Sequence, residues 1–233
     1  MRLLVRNTAA LAVAVLALSF GSRAQAQSTA APTAGNGTYI ASDPLAKVRY
    51  DNRFDLSLGM AYGHIHAGPD AYQGANLGGL DLTASYWFSK HWAVEGSGRG
   101  YVGTSGVASA STLKGPFVSE YLFAAGPEFL GPHNKHGDIM LHVLGGGAYF
   151  LSHDYPLTPA KVGFYDGQIA PAAVFGGHID LNRSEHWVFR VTPDALFTRY
   201  GYSFNATPVT SNPHTNWNFG ISVGMEYKFK TKR

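Results

Sequence analysis

Residues 216–229, Asn216-Trp217-Asn218-Phe219-Gly220-Ile221-Ser222-Val223-Gly224-Met225-Glu226-Tyr227-Lys228-Phe229, alternate without a break between large apolar side chains and polar or glycine residues. Successive side chains of a strand point to opposite faces, so one face here carries Trp217, Phe219, Ile221, Val223, Met225, Tyr227 and Phe229. The other carries Asn218, Ser222, Glu226, Lys228 and glycine. Such a strand separates two environments. A soluble sheet can use the same alternation, but the length of the run and the aromatic residues at both ends favour a strand that crosses a bilayer.

The start of the chain points the same way. Arg2 and Arg6 precede an uncharged run from Ala9 to Phe20, and Ala24-Gln25-Ala26 supplies a small-x-small pattern. The run is shorter than the roughly 20 apolar residues of a membrane helix, so residues 1–26 read as a cleaved export signal. Removing them takes Arg2, Arg6 and Arg23 but no acid, leaving fifteen basic and fifteen acidic side chains. The formal charge of +3 is therefore no argument for a nucleic-acid partner. Charged residues make up 14% of the chain and aromatic residues 13%, against about 25% charged in a typical soluble protein. Few charges and many aromatics suit a protein that hides much of its outside from water. No later stretch has the length and hydrophobicity of a membrane helix. A chain of this kind crosses a bilayer only as a closed barrel, in which the wall itself satisfies every backbone group. The absence of cysteine excludes a disulfide framework.

Period-two patterning predicts eight strands within residues 51–229: 53–65, 76–88, 92–103, 117–130, 138–150, 167–181, one opening at Trp187, and the terminal run. Their connections alternate between long (66–75, 104–114, 151–166, 201–214) and short (89–91, 131–137, 182–185). Aromatic residues sort toward two ends. Phe54, Tyr86, Phe88, Trp92, Phe129, Trp187, Tyr227 and Phe229 fall near the short connections, and Tyr62, Tyr101, Phe117, Tyr149, Phe197 and Trp217 near the long ones. Proline cannot donate to a strand ladder, so Pro127, Pro171 and Pro193 are each expected to mark a strand end or a bulge. Residues 27–50, rich in Ser, Thr, Ala, Pro and Gly and without a period, read as a flexible N-terminal tail. Residues 230–233 read as a basic C-terminal tail.

The segment Ser222-Val223-Gly224-Met225-Glu226-Tyr227-Lys228-Phe229 resembles the C-terminal insertion signal of the small bacterial outer-membrane β-barrel proteins, the OmpA-like and OmpX-like family. Phe175-Gly176-Gly177-His178-Ile179-Asp180-Leu181 and Trp187-Val188-Phe189-Arg190-Val191-Thr192 are similar to late strands of such domains. Over residues 51–229 the resemblance implies an all-β, eight-stranded antiparallel up-and-down transmembrane barrel. It also implies a Gram-negative-type envelope, outer-membrane lipid around the barrel, and recognition of Ser222, Gly224, Tyr227 and Phe229 by the barrel assembly machinery. It names no extracellular partner and confers no reaction.

The inward face of the predicted strands carries Asp55, Asp81, Glu95, Arg99, Glu120, Glu128, Arg190, Asp194, Glu226 and Lys228. In the fifth strand His142 is the only strongly polar inner candidate. Eight strands enclose a lumen just wide enough for side chains to fill, so these groups are expected to neutralise one another as a plug of salt bridges. Glu95 with Arg99, and Arg190 with Glu226 or Asp194, are the expected pairs. His64, His66, His153 and His214 fall at strand tops or long loops, but their spacing does not demand a metal, and none is assigned. Ser152-His153-Asp154 resembles the hydrolytic groups of lipid-modifying barrel enzymes. Adjacent strand residues point apart, however, so the reading is non-catalytic and without a cofactor. The sequence therefore favours a structural or surface-interaction barrel. A narrow pore, a lipid-modifying barrel enzyme and a soluble lipocalin-like binding barrel stay open as alternatives.

Overall fold

The computed structural model describes residues 43–68, 74–105, 117–152, 165, 167–201 and 214–232. They form eight strands: β1 (Asn52–Ile65), β2 (Ala75–Trp87), β3 (Trp92–Thr104), β4 (Phe117–Asn134), β5 (Gly137–Ser152), β6 (Gln168–Asn182), β7 (Trp187–Tyr200) and β8 (His214–Lys232). Each pairs antiparallel with its sequence neighbours, and β8 returns to β1, closing the barrel. The fold is an all-β, up-and-down barrel, as the alternation predicts. Closure leaves no strand edge with unpaired backbone groups.

Polarity is inverted relative to a soluble protein. Large apolar side chains cover the outside, including Met60, Leu80, Leu82, Phe123, Leu141, Val143 and Ile169, with Met60 76% exposed. Near the short connections Trp92 packs on Phe129, and Trp187, Tyr227, Phe229 and Phe54 form a chain of ring contacts at 5.0–5.3 Å. At the other end Trp217 meets Phe197 at 5.2 Å. Tyr101 departs from the expected girdle. It shares the parity of Arg99 and is 1% exposed, lying inside the barrel. Its ring crosses the notch left by the paired Gly63 and Gly220, where an added Cβ would come within 3.0 and 2.9 Å of it.

The three short turns share one construction. Ser89 Oγ accepts from the amides of His91 and Trp92, Ser184 Oγ from those of His186 and Trp187, and Asn134 Oδ1 from those of His136 and Gly137. The histidine carbonyl of each turn then accepts the amide of a later strand: Leu130 for His91, Asn182 for His136, and Lys228 for His186. A side-chain oxygen that mimics a backbone acceptor sets each turn, and the carbonyl stitches it to its neighbour.

Several boundaries differ from expectation. The fourth and fifth strands run on to a two-residue hairpin at Lys135-His136, so the predicted 131–137 connection is mostly strand. β8 extends to Lys232, beyond the expected end at Phe229. Pro127, Pro171 and Pro193 mark neither strand ends nor bulges. Each pairs in register on one side, with Val94, Gly147 and Ile221 respectively. The opposite ladder skips at Pro127 and Pro193 and resumes in the same register. An amide points toward one neighbour only, so a proline forfeits one bond of one ladder and leaves the other intact. The register shifts fall at Asn52/Phe54 and Leu130/His133 instead.

Residues 43–50, placed in a flexible tail by composition, pack on the barrel mouth at the short-turn end. Asp43 accepts from the Leu45 amide at 2.9 Å and pairs with Lys135 at 3.3 Å, which together hold its carboxyl below the usual range. Tyr50 donates to the Asn134 carbonyl, accepts from Asn182 Nδ2, both at 2.8 Å, and covers Lys228 Nζ with its ring at 4.7 Å. Burial, and then the charge of Asp138, push its hydroxyl pKa up, so it remains a donor.

The outward face should respond to charge by depth. Leu58→Arg, at mid-strand, is expected to cost about 2–4 kcal/mol, and Ile169→Arg, near a strand end, about 0–1 kcal/mol. Urea titration of folding into lipid vesicles reads the difference directly; equal costs would place the two residues at the same depth.

Candidate functional site

All ten inward residues named from the sequence are buried. The barrel interior is layered. Toward the long connections lies an apolar cluster that includes Ile65, Leu77, Tyr101, Leu122, Leu144, Phe150, Val174, Leu196 and Tyr200. Tyr165, from the β5–β6 connection, enters it, its ring 5.2 Å from Tyr200 and its hydroxyl bonded to Asn216. Below lies the charged layer. A smaller cluster of Trp87, Ala93, Leu130 and Met140, capped by Tyr50, closes the short-turn end. A recess of only about 10 Å³ remains there, lined by Tyr50, Asn52, Asp55, Trp87, Leu130, Met140 and Lys228.

The layering changes the expected picture of a wholly polar lumen. Glu120 is not part of the charged layer: it pairs through the backbone with Tyr101 and Phe150 inside the apolar half. No ion pair of Glu120 forms among the described residues.

Three subclusters make up the charged layer. In the first, Arg190 makes a bidentate contact with Asp180, Nε to Oδ1 at 2.8 Å and Nη2 to Oδ2 at 2.6 Å, and also pairs with Glu226. Lys228 lies 3.5 Å from Asp138 and 4.0 Å from Glu226. Asp138 and Asp180 face each other across β5 and β6, so the two cations hold together like charges placed side by side. In the second, Arg99 pairs with Asp81 at 3.3 Å and with Asp194, while Ser222 Oγ donates to Asp81 at 2.6 Å. Arg99 does not pair with Glu95, nor Arg190 with Asp194. Asp55 accepts from Trp87 Nε1 at 2.6 Å and from Asn52.

The third subcluster was not legible as a unit. His142 Nδ1 lies 2.8 Å and His178 Nε2 3.1 Å from Glu95 Oε2, and the two nitrogens are 3.3 Å apart. His142 Nε2 faces Asp194 Oδ1 at 2.8 Å, and His178 Nδ1 faces Thr192 Oγ1 at 2.8 Å. Glu128 Oε1 is 3.7 Å from His178 Nε2. The backbone makes the room. Gly176 pairs with both His142 and Asp194, and a Cβ on it would fall 1.8 Å from the Asp194 carboxylate. Because Gly176 has none, the two side chains meet across its strand. Among the described residues, Glu95, His142 and His178 are the group able to hold a metal ion.

The loop histidines do not form that group. His64 Nδ1 bonds Asn76 and His66 Nδ1 bonds Asn218, with the two rings 6.2 Å apart. His214 begins β8, and Ser152 ends β5. His153 and Asp154 lie outside the described residues.

Removing one member of a buried charge cluster strands the others. Arg190→Met leaves Asp180 and Glu226 without their partner and is expected to cost about 3–5 kcal/mol in urea unfolding from lipid or detergent. Lys135→Ala breaks an exposed pair and should leave the midpoint unchanged. A small effect of Arg190→Met would mean that water reaches the layer.

No family model and no curated protein sequence matches this chain. Solved structures do. Outer membrane protein OprG from Pseudomonas aeruginosa superposes with a TM-score of 0.51 at 15% identity, covering 79% of this chain and 99% of its own. The attachment invasion locus protein Ail of Yersinia pestis gives 0.46 at 17% identity over 77% and 99% of the two chains. E. coli outer membrane protein W gives 0.46 at 12% over 78% and 100%. At these identities the likeness concerns the fold: the chain is a closed eight-stranded barrel of the kind found in small outer-membrane proteins.

Proposed function

We propose that the chain is an integral protein of a bacterial outer membrane, exported by its N-terminal signal, with a structural or surface-interaction role and no conducting path. The observation that carries this reading is the inverted polarity of the barrel. An apolar outside with aromatic rims matches hydrocarbon and headgroup, while buried charges occupy the centre. A soluble ligand-binding barrel needs the reverse arrangement, and would strand the outer aromatics in water.

The filled lumen supports a plugged barrel over a pore. The apolar cluster blocks one half, the salt-bridge layer the middle, and Tyr50 with its partners the other mouth. With the short turns on the periplasmic side, residues 43–50 form a cork there. The long connections then face outward, where a surface partner would be met.

The C-terminal segment supports recognition by the assembly machinery. Tyr227 and Phe229 stay partly exposed on the outer face. Gly224 has a structural reason besides: a Cβ there would fall 2.2 Å from the Leu58 carbonyl oxygen of the neighbouring strand.

Three experiments test the proposal. The protein should fractionate with outer membranes and shift its gel mobility on boiling, and planar-bilayer recordings should show no steady conductance; a stable ion-selective pore would overturn the plugged reading. Phe229→Ala should slow assembly in cells, whereas deletion of residues 230–233 should not, as followed by the rate at which the heat-modifiable form appears.

A further inference from the structure

We propose that Glu95, His142 and His178 form a buried site for a divalent transition-metal ion of the Zn²⁺ class. The first argument is geometric. Glu95 Oε2, His142 Nδ1 and His178 Nε2 form a triangle with edges of 2.8, 3.1 and 3.3 Å. A tetrahedral ion with bonds of about 2.0–2.1 Å to nitrogen and oxygen needs ligand atoms about 3.3 Å apart. The triangle is therefore close to one face of such a tetrahedron. Glu128 Oε1, 3.7 Å from His178 Nε2, lies outside that triangle as an acidic neighbour of the site.

The second argument concerns what these atoms lack. Glu95 is fully buried, yet its Oε1 accepts no hydrogen bond. Buried carboxylate oxygens are costly without a donor or a cation. If each imidazole donates its outer N–H, His142 to Asp194 and His178 to Thr192, the inner nitrogens present lone pairs to each other and to the Glu95 carboxylate. Three lone pairs within 3.3 Å repel unless a cation lies between them. A carboxylate or hydroxyl on the far nitrogen of a ligating histidine is also the arrangement that fixes its tautomer and ring plane for metal binding. Asp194 is itself anchored by Arg99.

The third argument is charge. The described residues bury nine carboxylates, Asp55, Asp81, Glu95, Glu120, Glu128, Asp138, Asp180, Asp194 and Glu226, against the permanent cations Arg99, Arg190 and Lys228. A divalent ion beside Glu95 offsets part of that excess. The ligands come from β3, β5 and β6, so the ion would tie together three strands of the wall. It would be enclosed by the apolar cluster on one side and the capped mouth on the other, and would be taken up as the barrel closes. This inference is independent of the role proposed for the barrel in the envelope.

The test is refolding of the full chain into detergent or vesicles in the presence of Zn²⁺, followed by chelator washing and metal analysis. The wild type is expected to retain one Zn²⁺ per chain, and Co²⁺ in its place should give the intense visible absorption of a four-coordinate site. His178→Gln and Glu95→Gln should retain at least tenfold less. Glu128→Gln should keep the ion, and His64→Gln with His66→Gln should change nothing. Boiling-dependent gel mobility establishes that each variant has folded. Folded wild type that retains no more metal than a folded His142→Ala/His178→Ala variant would overturn the proposal and leave protons as the cations between these groups. Metal retained undiminished by that double variant would do the same.

Discussion

Closing eight strands upon themselves satisfies the backbone without any help from solvent, and in doing so it encloses a space that only side chains can fill. Much of the interior chemistry follows from that confinement. Each inward position faces its counterparts across a few ångströms, so charge, size and shape are decided jointly by residues far apart in sequence. Glu95 meets His178, and Ser222 meets Asp81, through this narrowness alone. Glycine is the device that adjusts the fit. Gly63 and Gly220 make the notch for Tyr101, and Gly176 opens the passage between His142 and Asp194.

A second consequence is the separation of layers. Ion pairs in a low-dielectric interior strand their partners when broken, so they gain from being kept together and away from water. The apolar cluster shields the charged layer on the side of the long connections, and Trp87, Leu130, Met140 and Tyr50 shield it on the other. The short-turn end is also closed by a repeated bonding pattern. The sequences Ser89-Lys90-His91-Trp92, Asn134-Lys135-His136-Gly137 and Ser184-Glu185-His186-Trp187 repeat one turn in which a side-chain oxygen and a histidine carbonyl are both used.

Strand number, antiparallel order and facing were legible because a period of two is a local property of the chain. That rule assigns Asp55, Asp81, Glu95, Arg99, Arg190, Asp194, Glu226 and Lys228 to the interior without knowledge of any partner. Applied consistently it would also have moved Tyr101 inward, where its aromatic character argued for a girdle. Partner choice was not local. Arg99 sits four residues from Glu95 on one strand but reaches Asp81, its register partner on β2, and Asp194, across the lumen on β7. His178, Asp138 and Asp180 share the inward parity of their strands. Gly176 and Gly177 weakened the apolar alternation around His178, and Asp138 stood at the very first position of the predicted fifth strand. The repeated Ser-x-His-Trp turns were present in the sequence as a pattern, but their hydrogen bonding becomes intelligible only once the strands they join are placed.

The asymmetry between the two ends bears on where a partner would act. Changes in the long connections meet the apolar cluster first, where Tyr165 and Tyr200 pack ring to ring. The charged layer beneath it is held by bidentate and shared ion pairs whose geometry is far less forgiving. Loop variation can therefore proceed at one end without disturbing the electrostatics of the centre. The His142–His178–Glu95 group lies within that insulated centre, on strands rather than loops. It is placed to fix the barrel wall, and not to meet a molecule arriving at the surface.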